Sequence, residues 1–435
     1  LIQPAERLLA APIVPTLARL SAPGVLLVAF QSLVSIGDTY FVGRLGTAPL
    51  AGLALVFPLI MLLQMTSAGA MGGGVSSAIA RALGAGDPPA ARRLVVHALV
   101  IAAGMGAAFT ALILLLGPTI YALLGGKDET LANAVRYSNV VFAGAITVWM
   151  ANTLSSVLRG TGNMLVPALT LIVAAVVHVP FSAFLVSRIG IAGAGVAYIT
   201  TFGIAAAAMA VAVFRRSSAL RPVRADLRLE RRLFREILRV GGISVLSSVQ
   251  TVLTAVILTG LVGRYGAGAL AGYGVGLRLE LLQIPLVFAV GQAMVVLVGI
   301  NIGAGRPQAA KRIAWIGTAF AASISLAIGA VATVAPLAWV GLFSADPAVL
   351  ESGSLYLRTV APFYLMLAAN IALYFASQGA GKVLLPVLAG TARLLIVIAG
   401  GAAVATLGGI FAAIATAMAV SGLLTIWFVA RTKWS

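Results

Sequence analysis

The chain has no cysteine, only two histidines, and 11 acids against 29 Lys and Arg; charged residues of both signs make up 9% of its 435 positions. The absence of cysteine excludes disulfides and thiolate metal sites. So little charge excludes an ordinary soluble domain. No HExxH, no paired catalytic aspartates and no Gly-x-Ser-x-Gly occur. With those hydrolytic devices missing, the chain does not read as an enzyme.

What the chain does have is apolar sequence, 61% of it. At roughly 20 apolar residues per membrane crossing, it resolves into 12 blocks. They lie at residues 17–42, 50–83, 94–116, 134–158, 165–186 and 190–214, then at 237–262, 269–302, 313–336, 355–376, 383–407 and 410–430. The fold class is therefore an all-α polytopic membrane protein with 12 transmembrane helices. The second and eighth blocks exceed 30 residues and are expected to tilt or protrude. The first 19 residues, with Pro4, Pro12 and Pro15, make a poor secretory signal and read as a cytoplasmic lead-in.

The net charge of +18 is informative by position. One side of the membrane collects 21 Lys and Arg, from the two terminal segments and every second loop, above all 215–239; the other side has six. This asymmetry places both termini in the cytoplasm of a cell-membrane protein. The basic stretch is read as a topology determinant in contact with anionic lipid. Nucleic acid is not an expected partner.

Internal repetition sets the architecture. Val42-Gly43-Arg44-Leu45-Gly46 recurs as Val262-Gly263-Arg264-Tyr265-Gly266, and Leu50-Ala51-Gly52 as Leu270-Ala271-Gly272, both offset by 220. Gly84-Ala85-Gly86 recurs as Gly303-Ala304-Gly305, and Gly160-x-Gly162 with Leu165-x-Pro167 as Gly379-x-Gly381 with Leu384-x-Pro386, offset by 219. Six spans per repeat is an even number, so the repeats run parallel, a symmetry seen in secondary transporters. The organisation is an N-lobe at 1–214, a basic cytoplasmic linker at 215–236 and a C-lobe at 237–435. Gly69-Ala70-Met71-Gly72-Gly73-Gly74 lacks the Lys-Ser/Thr of a phosphate loop and is expected to be a packing surface or a local break.

Only two acids, Asp38 and Glu280, fall inside apolar spans, where a charge is costly and faces a polar cavity or a partner. Gln31, Ser35 and Asp38 are spaced to share one helix face as a polar stripe. His178, one turn from Ser182, reads either as a proton partner for Asp38 or as a neutral histidine satisfied by a backbone carbonyl. Glu280 shares its face with Tyr273 and Gln283; it reads as a structural partner of Arg393, or as a group that binds substrate or a proton. Asn370, Tyr374 and Gln378 form a comparable stripe in the tenth span, and Asn152 joins the substrate-binding candidates. Trp149, Phe363 and Tyr364 are candidates to stack on flat cations.

The sequence resembles the multidrug and toxic compound extrusion (MATE) family, and within it the DinF-like branch. The resemblance rests on Gly37-Asp38-Thr39 with Val42-Gly43, on Gly-Ala-Gly with paired basics after spans two and eight, on Arg278-Leu279-Glu280 with Pro285, and on Gln378-Gly379-Ala380-Gly381. It implies a V-shaped pair of six-helix lobes that export organic cations or amphiphiles in exchange for H+ or Na+ by alternating access. It places Asp38 on the family's first-span coupling acid. The family's fifth-span Asp-Pro reads here Val179-Pro180, its Asn four residues earlier reads Ala175, and its sixth-span Thr reads Tyr198; Tyr198 and, from its own placement, His178 are ion-coupling candidates with Asp38. A hard cation such as Na+ wants several converging oxygens, whereas a proton needs one titratable group, so H+ is favoured. No cofactor beyond the coupling ion is expected, and a monomer is the expected state. The alternative is a flippase for lipid-linked precursors, but its pyrophosphate substrates would want several arginines at membrane depth, and only Arg278 and Arg393 lie there.

The orientation is directly testable in this cysteine-free chain. Single cysteines introduced at Ser344 and Ser217 should be labelled from outside intact cells at Ser344 and not at Ser217; the reverse pattern overturns it.

Overall fold

A computed structural model describes residues 3–216 and 218–434, with the backbone alone at 3–5, 28 and 29; Ser217, one of the two labelling positions, lies outside the described residues. The described chain is helical. The first half comprises α1 (Gln3–Ala10), α2 (Ile13–Gly43), α3 (Thr47–Gln64), a π-helical turn at Met65–Met71, α4 (Gly72–Gly84), α5 (Pro88–Leu123), α6 (Asp128–Ala143), α7 (Ala145–Gly160), α8 (Leu165–Ile189) and α9 (Ile191–Phe214). A 3-10 turn at Arg224–Leu227 leads into α10 (Arg231–Gly263) and α11 (Ala267–Gly303). Then come α12 (Pro307–Val334), α13 (Pro336–Val340), α14 (Pro347–Val360), α15 (Tyr364–Gly379), α16 (Leu384–Ala403) and α17 (Leu407–Arg431).

Eleven of the described helices, or helix runs, are long and apolar enough to cross a membrane, and a twelfth crossing is the bent pair α6 and α7, which meet at 49°. The expected spans 134–158 and 355–376 are present, each built from two helical pieces. α6 gives way to α7 at Gly144, and α14 gives way to α15 through a 3-10 turn at Ala361–Phe363. These breaks are repeat-equivalent, since Gly144 displaced by 219 falls on Phe363. The second span is continuous but carries the π-helical turn immediately before Gly72-Gly73-Gly74, a local break of the sort the glycine run suggested.

The repeat is visible in the backbone itself. Where α4 ends, Asp87 N–H bonds Ala82 C=O at 3.0 Å and Gly86 N–H bonds Leu83 C=O at 3.1 Å; where α11 ends, Arg306 N–H bonds Asn301 C=O at 2.8 Å and Gly305 N–H bonds Ile302 C=O at 3.1 Å. This closure of a helix end needs a left-handed residue, and Gly86 and Gly305 supply it at φ 71° and 69°. The next helix starts on proline in both halves, at Pro88 and Pro307, where the missing N–H is not needed. In the first half Asp87 also caps α5, its carboxylate accepting from Ala90 N–H at 2.9 Å.

The chain forms two compact units, Leu1–Arg7 with Ala22–Val245 and Leu8–Ser21 with Leu246–Ser435. One division falls within α1 and the other two inside the first span of each repeat. The core of the first unit is built on Trp149, Tyr121, Phe142 and Leu94, and that of the second on Tyr356, Tyr364, Phe411 and Val360, all fully buried or nearly so. Large apolar side chains such as Leu115, Leu123 and Val334 are more than three-quarters exposed. With the backbone bonded within helices, these side chains are free to face lipid.

Small residues set the helix spacing where apolar attraction between helices is absent. In α11, a Cβ on Gly272 would meet Gly353 N at 2.6 Å and Val349 C=O at 2.7 Å, whereas one on Gly274 would meet nothing within 4 Å. Gly272→Ala should therefore destabilise the protein by about 1–3 kcal/mol, while Gly274→Ala should be neutral or stabilising by up to about 1 kcal/mol. Thermal unfolding of the two purified variants checks the contrast in sign.

Candidate functional site

Asp38 sits near the end of α2, beside Gly37, whose position lies against the Val179 side chain of α8. Its carboxylate is buried and fully engaged. Ser182 Oγ donates to Oδ1 at 2.5 Å, and His178 Nε2 lies 3.1 Å from Oδ1 and 3.0 Å from Oδ2. His178 and Ser182 are four residues apart on α8, so one helix face presents both. The far side of the imidazole, Nδ1, is 3.2 Å from Thr201 Oγ1 on α9.

The hydrogen bonds assign the protons. The single hydroxyl hydrogen of Thr201 goes to Ala197 C=O at 2.6 Å. Thr201 can therefore only accept from His178, and Nδ1 carries a hydrogen. Nε2 then meets the carboxylate across one shared proton, either as imidazolium with carboxylate or as neutral imidazole with carboxylic acid. Both forms are neutral overall. Without that proton a lone pair would face an anion, so the closed contact holds one proton between Nε2 and the carboxylate. The open alternative for His178, satisfaction by a backbone carbonyl, is corrected: its partners are both side chains.

The other first-unit candidates are placed elsewhere. Gln31 and Ser35 are exposed, and neither hydrogen-bonds Asp38, so the expected polar stripe ends in one buried group and two that α8 leaves uncovered. Tyr198, an ion-coupling candidate alongside Asp38, accepts from Gln64 Nε2 at 2.6 Å. Asn152 Nδ2 donates to Gln64 Oε1 at 2.9 Å and to Ser67 Oγ at 2.8 Å. Tyr198 and Asn152 thus belong to a second network running through Gln64 and the π-helical turn. Trp149 and Tyr364 are fully buried, which removes both as open stacking surfaces for a flat cation.

In the second unit, Glu280 Oε2 accepts from Tyr356 OH at 2.8 Å, and Arg393 Nη2 stands 4.0 Å from Glu280 Oε1. Tyr356 packs edge-on against Tyr273 and Phe411. Gln283, one turn on from Glu280, is buried with both amide atoms lacking a protein partner. Asn370 Nδ2 bonds Thr425 Oγ1 at 2.8 Å, and Tyr374 OH accepts from Gln378 Nε2 at 2.9 Å, so the tenth-span stripe divides between two sets of partners. Arg278 lies over the Phe343 ring at 5.2 Å. No group of three metal-ligating side chains occurs among the described residues.

Sequence reasoning left Ser182 as a neighbour of His178 and did not reach Thr201, Gln64 or Ser67. The spacing of His178 and Ser182 was a usable signal; the other three are single polar residues in apolar helices, with no pattern to mark them.

The MatE family model matches residues 23–184 and 244–403, one match in each repeat. The chain belongs to the MatE family. It is 26% identical over 358 residues to an FAD transporter of Shewanella oneidensis, covering 80% of this chain and 78% of that one. It is 26% identical over 386 residues to a probable multidrug resistance protein NorM of Thermotoga maritima, covering 86% and 81%, and 23% identical to a multidrug export protein MepA of Staphylococcus aureus, covering 87% and 85%. Among solved structures, a MOP superfamily transporter from Pyrococcus furiosus superimposes with a TM-score of 0.90 at 23% identity, over 98% of both chains, and a MATE crystal structure in a bent conformation superimposes at 0.91 and 23% identity, over 98% of this chain and 97% of that one. MatE proteins are membrane transporters, so this chain is a multi-pass transporter of that fold.

The pair can be tested apart from transport. Asp38→Asn and His178→Ala should each destabilise the protein by about 1–3 kcal/mol, because each strands a buried polar partner. The double variant should lose less than the sum. Additive losses in thermal unfolding would mean the two side chains do not interact.

Proposed function

We propose that the chain is an H+-coupled antiporter of the DinF-like branch that exports cationic or amphiphilic organic compounds from the cell by alternating access. It acts as a monomer in the cell membrane, with both termini and the 215–236 linker in the cytoplasm and with 1–214 and 237–435 as its lobes. The observation that carries the reading is the one-proton contact between Asp38 and His178. With the proton in place, the pair is neutral and closed. When the proton leaves, the histidine lone pair repels the carboxylate, and Asp38 becomes an unpaired anion with affinity for an organic cation. A proton returning from outside would displace the cation and reclose the pair. Charge balance then couples one proton inward to one cationic charge outward.

The same geometry favours H+ over Na+. Among the described residues, Asp38 hydrogen-bonds one hydroxyl, that of Ser182, and its other close partner is the imidazole nitrogen of His178. That set is too poor in oxygen for a hard cation. Gln31 and Ser35, and in the C-lobe Glu280, Gln283, Asn370 and Tyr374, are the proposed substrate contacts.

The test is efflux by purified protein in liposomes under an imposed pH gradient, with a cationic dye and, in view of the Shewanella relative, FAD as alternative cargoes. Asp38→Asn should fold and lose gradient-driven dye efflux, and His178→Gln should retain efflux with an altered pH profile. Wild-type rates in Asp38→Asn, or a strict Na+ requirement, would refute the proton reading; export of FAD without the dye would replace the cationic cargo.

A further inference from the structure

The basic segment between the repeats is fastened to the first unit through its acids. Asp226, in the 3-10 turn, takes Arg92 Nε at 3.0 Å; Glu230 takes Arg93 Nη1 at 2.7 Å; Glu236, on α10, takes Arg81 Nη2 at 3.3 Å. His97 of α5 is fully buried and adds a fourth tie. Its Nδ1–H donates to Arg93 C=O at 2.7 Å, and its Nε2 accepts the Glu230 N–H at 2.8 Å. The segment is a strap of fixed position, and its acids are committed to arginines of α4 and α5.

Its own arginines are left over. All nine from Arg215 to Arg239 are exposed, and among the described residues none has a carboxylate within 4.0 Å. Beneath the strap lies an open groove of about 300 Å3. Val96, Val100 and Ala103 of α5 form one wall, and Phe214, Pro222 and Leu227 form the other. Each residue of the second wall adjoins an arginine in the chain: Phe214 precedes Arg215, Pro222 follows Arg221, and Leu227 precedes Arg228. The result is an apolar trough at the end of a membrane-spanning helix, with an exposed arginine next in sequence to each residue of its second wall. A free anion would have no use for the trough. An uncharged lipid would have no use for the arginines. One molecule class uses both.

We propose that this groove is a binding site for a single anionic phospholipid. An acyl chain lies along Val96, Val100 and Ala103, and the phosphate is held by Arg215, Arg221 and Arg228. The site rests on the membrane assignment alone and is independent of what the protein exports. A lipid seated there would bridge α5, the end of α9 and the strap, and so would reinforce the hold on the segment that joins the repeats.

Native mass spectrometry of the full-length protein, exposed to equal amounts of phosphatidylglycerol and phosphatidylcholine with identical chains, tests the site. Phosphatidylglycerol adducts should dominate, on the order of tenfold. Arg215→Gln/Arg221→Gln/Arg228→Gln changes only exposed positions, so it should keep the wild-type unfolding temperature and bring the two lipids near parity. Ala103→Trp fills the trough and should reduce retention of both. Excess glycerol 3-phosphate, a headgroup without chains, should not displace the bound lipid. Parity in the wild type, a preference that survives the triple substitution, or displacement by glycerol 3-phosphate would each overturn the proposal. Because none of these readouts involves transport, failure of the antiporter reading would leave them unchanged.

Discussion

The interior of a bilayer offers no water, so a backbone polar group or a charge placed there must find its partner in the protein. The structure follows from that constraint. Backbone groups are satisfied within helices, and the helix ends at Gly86 and Gly305 close their last carbonyls with the same pair of bonds. Asp38 and Glu280 are each met by side chains from other helices, Asp38 by two on α8 and Glu280 by one each on α14 and α16. Where a stretch carries surplus charge, as in the 215–236 linker, it lies largely outside the apolar spans.

Duplication gave the chain its frame, and divergence gave it chemistry. At the established offsets, Asp38 corresponds to Leu258, His178 to Val397 and Ser182 to Gly401. The second repeat thus fills the same place with apolar groups, Leu258 and Val397 both buried. The fold therefore does not require a polar cluster between the first and fifth spans; the first unit has one in addition. Glu280 likewise corresponds to Ile60. Each unit holds one membrane-depth acid at a position where the other unit is apolar, which makes the two halves chemically distinct while the backbone breaks at Gly144 and Ala361–Phe363 keep them structurally alike.

The strap shows how oppositely charged residues divide the work. Its acids hold it to α4 and α5, and its arginines are left facing outward. A segment that reads in sequence as uniformly basic is in three dimensions a fastening on one side and a cationic surface on the other.

The sequence by itself determined the membrane class, the number of crossings, the parallel repeat and the two acids at membrane depth. These follow from one-dimensional quantities: run length of apolar residues, the spacing of recurring motifs, and the rarity of charge inside such runs. It also supplied Arg393 as the partner to consider for Glu280. Only the tertiary structure decided between the two readings of His178, because a lone histidine in an apolar span carries no mark of its partner until α2 and α8 are brought together. It also separated residues that helical spacing had grouped: Gln31 and Ser35 share a face with Asp38, yet α8 covers only Asp38. Tyr198 went to Gln64 for the same reason, since hydrogen bonds between helices are set by which helix lies opposite, and that is a property of packing that no single helix encodes.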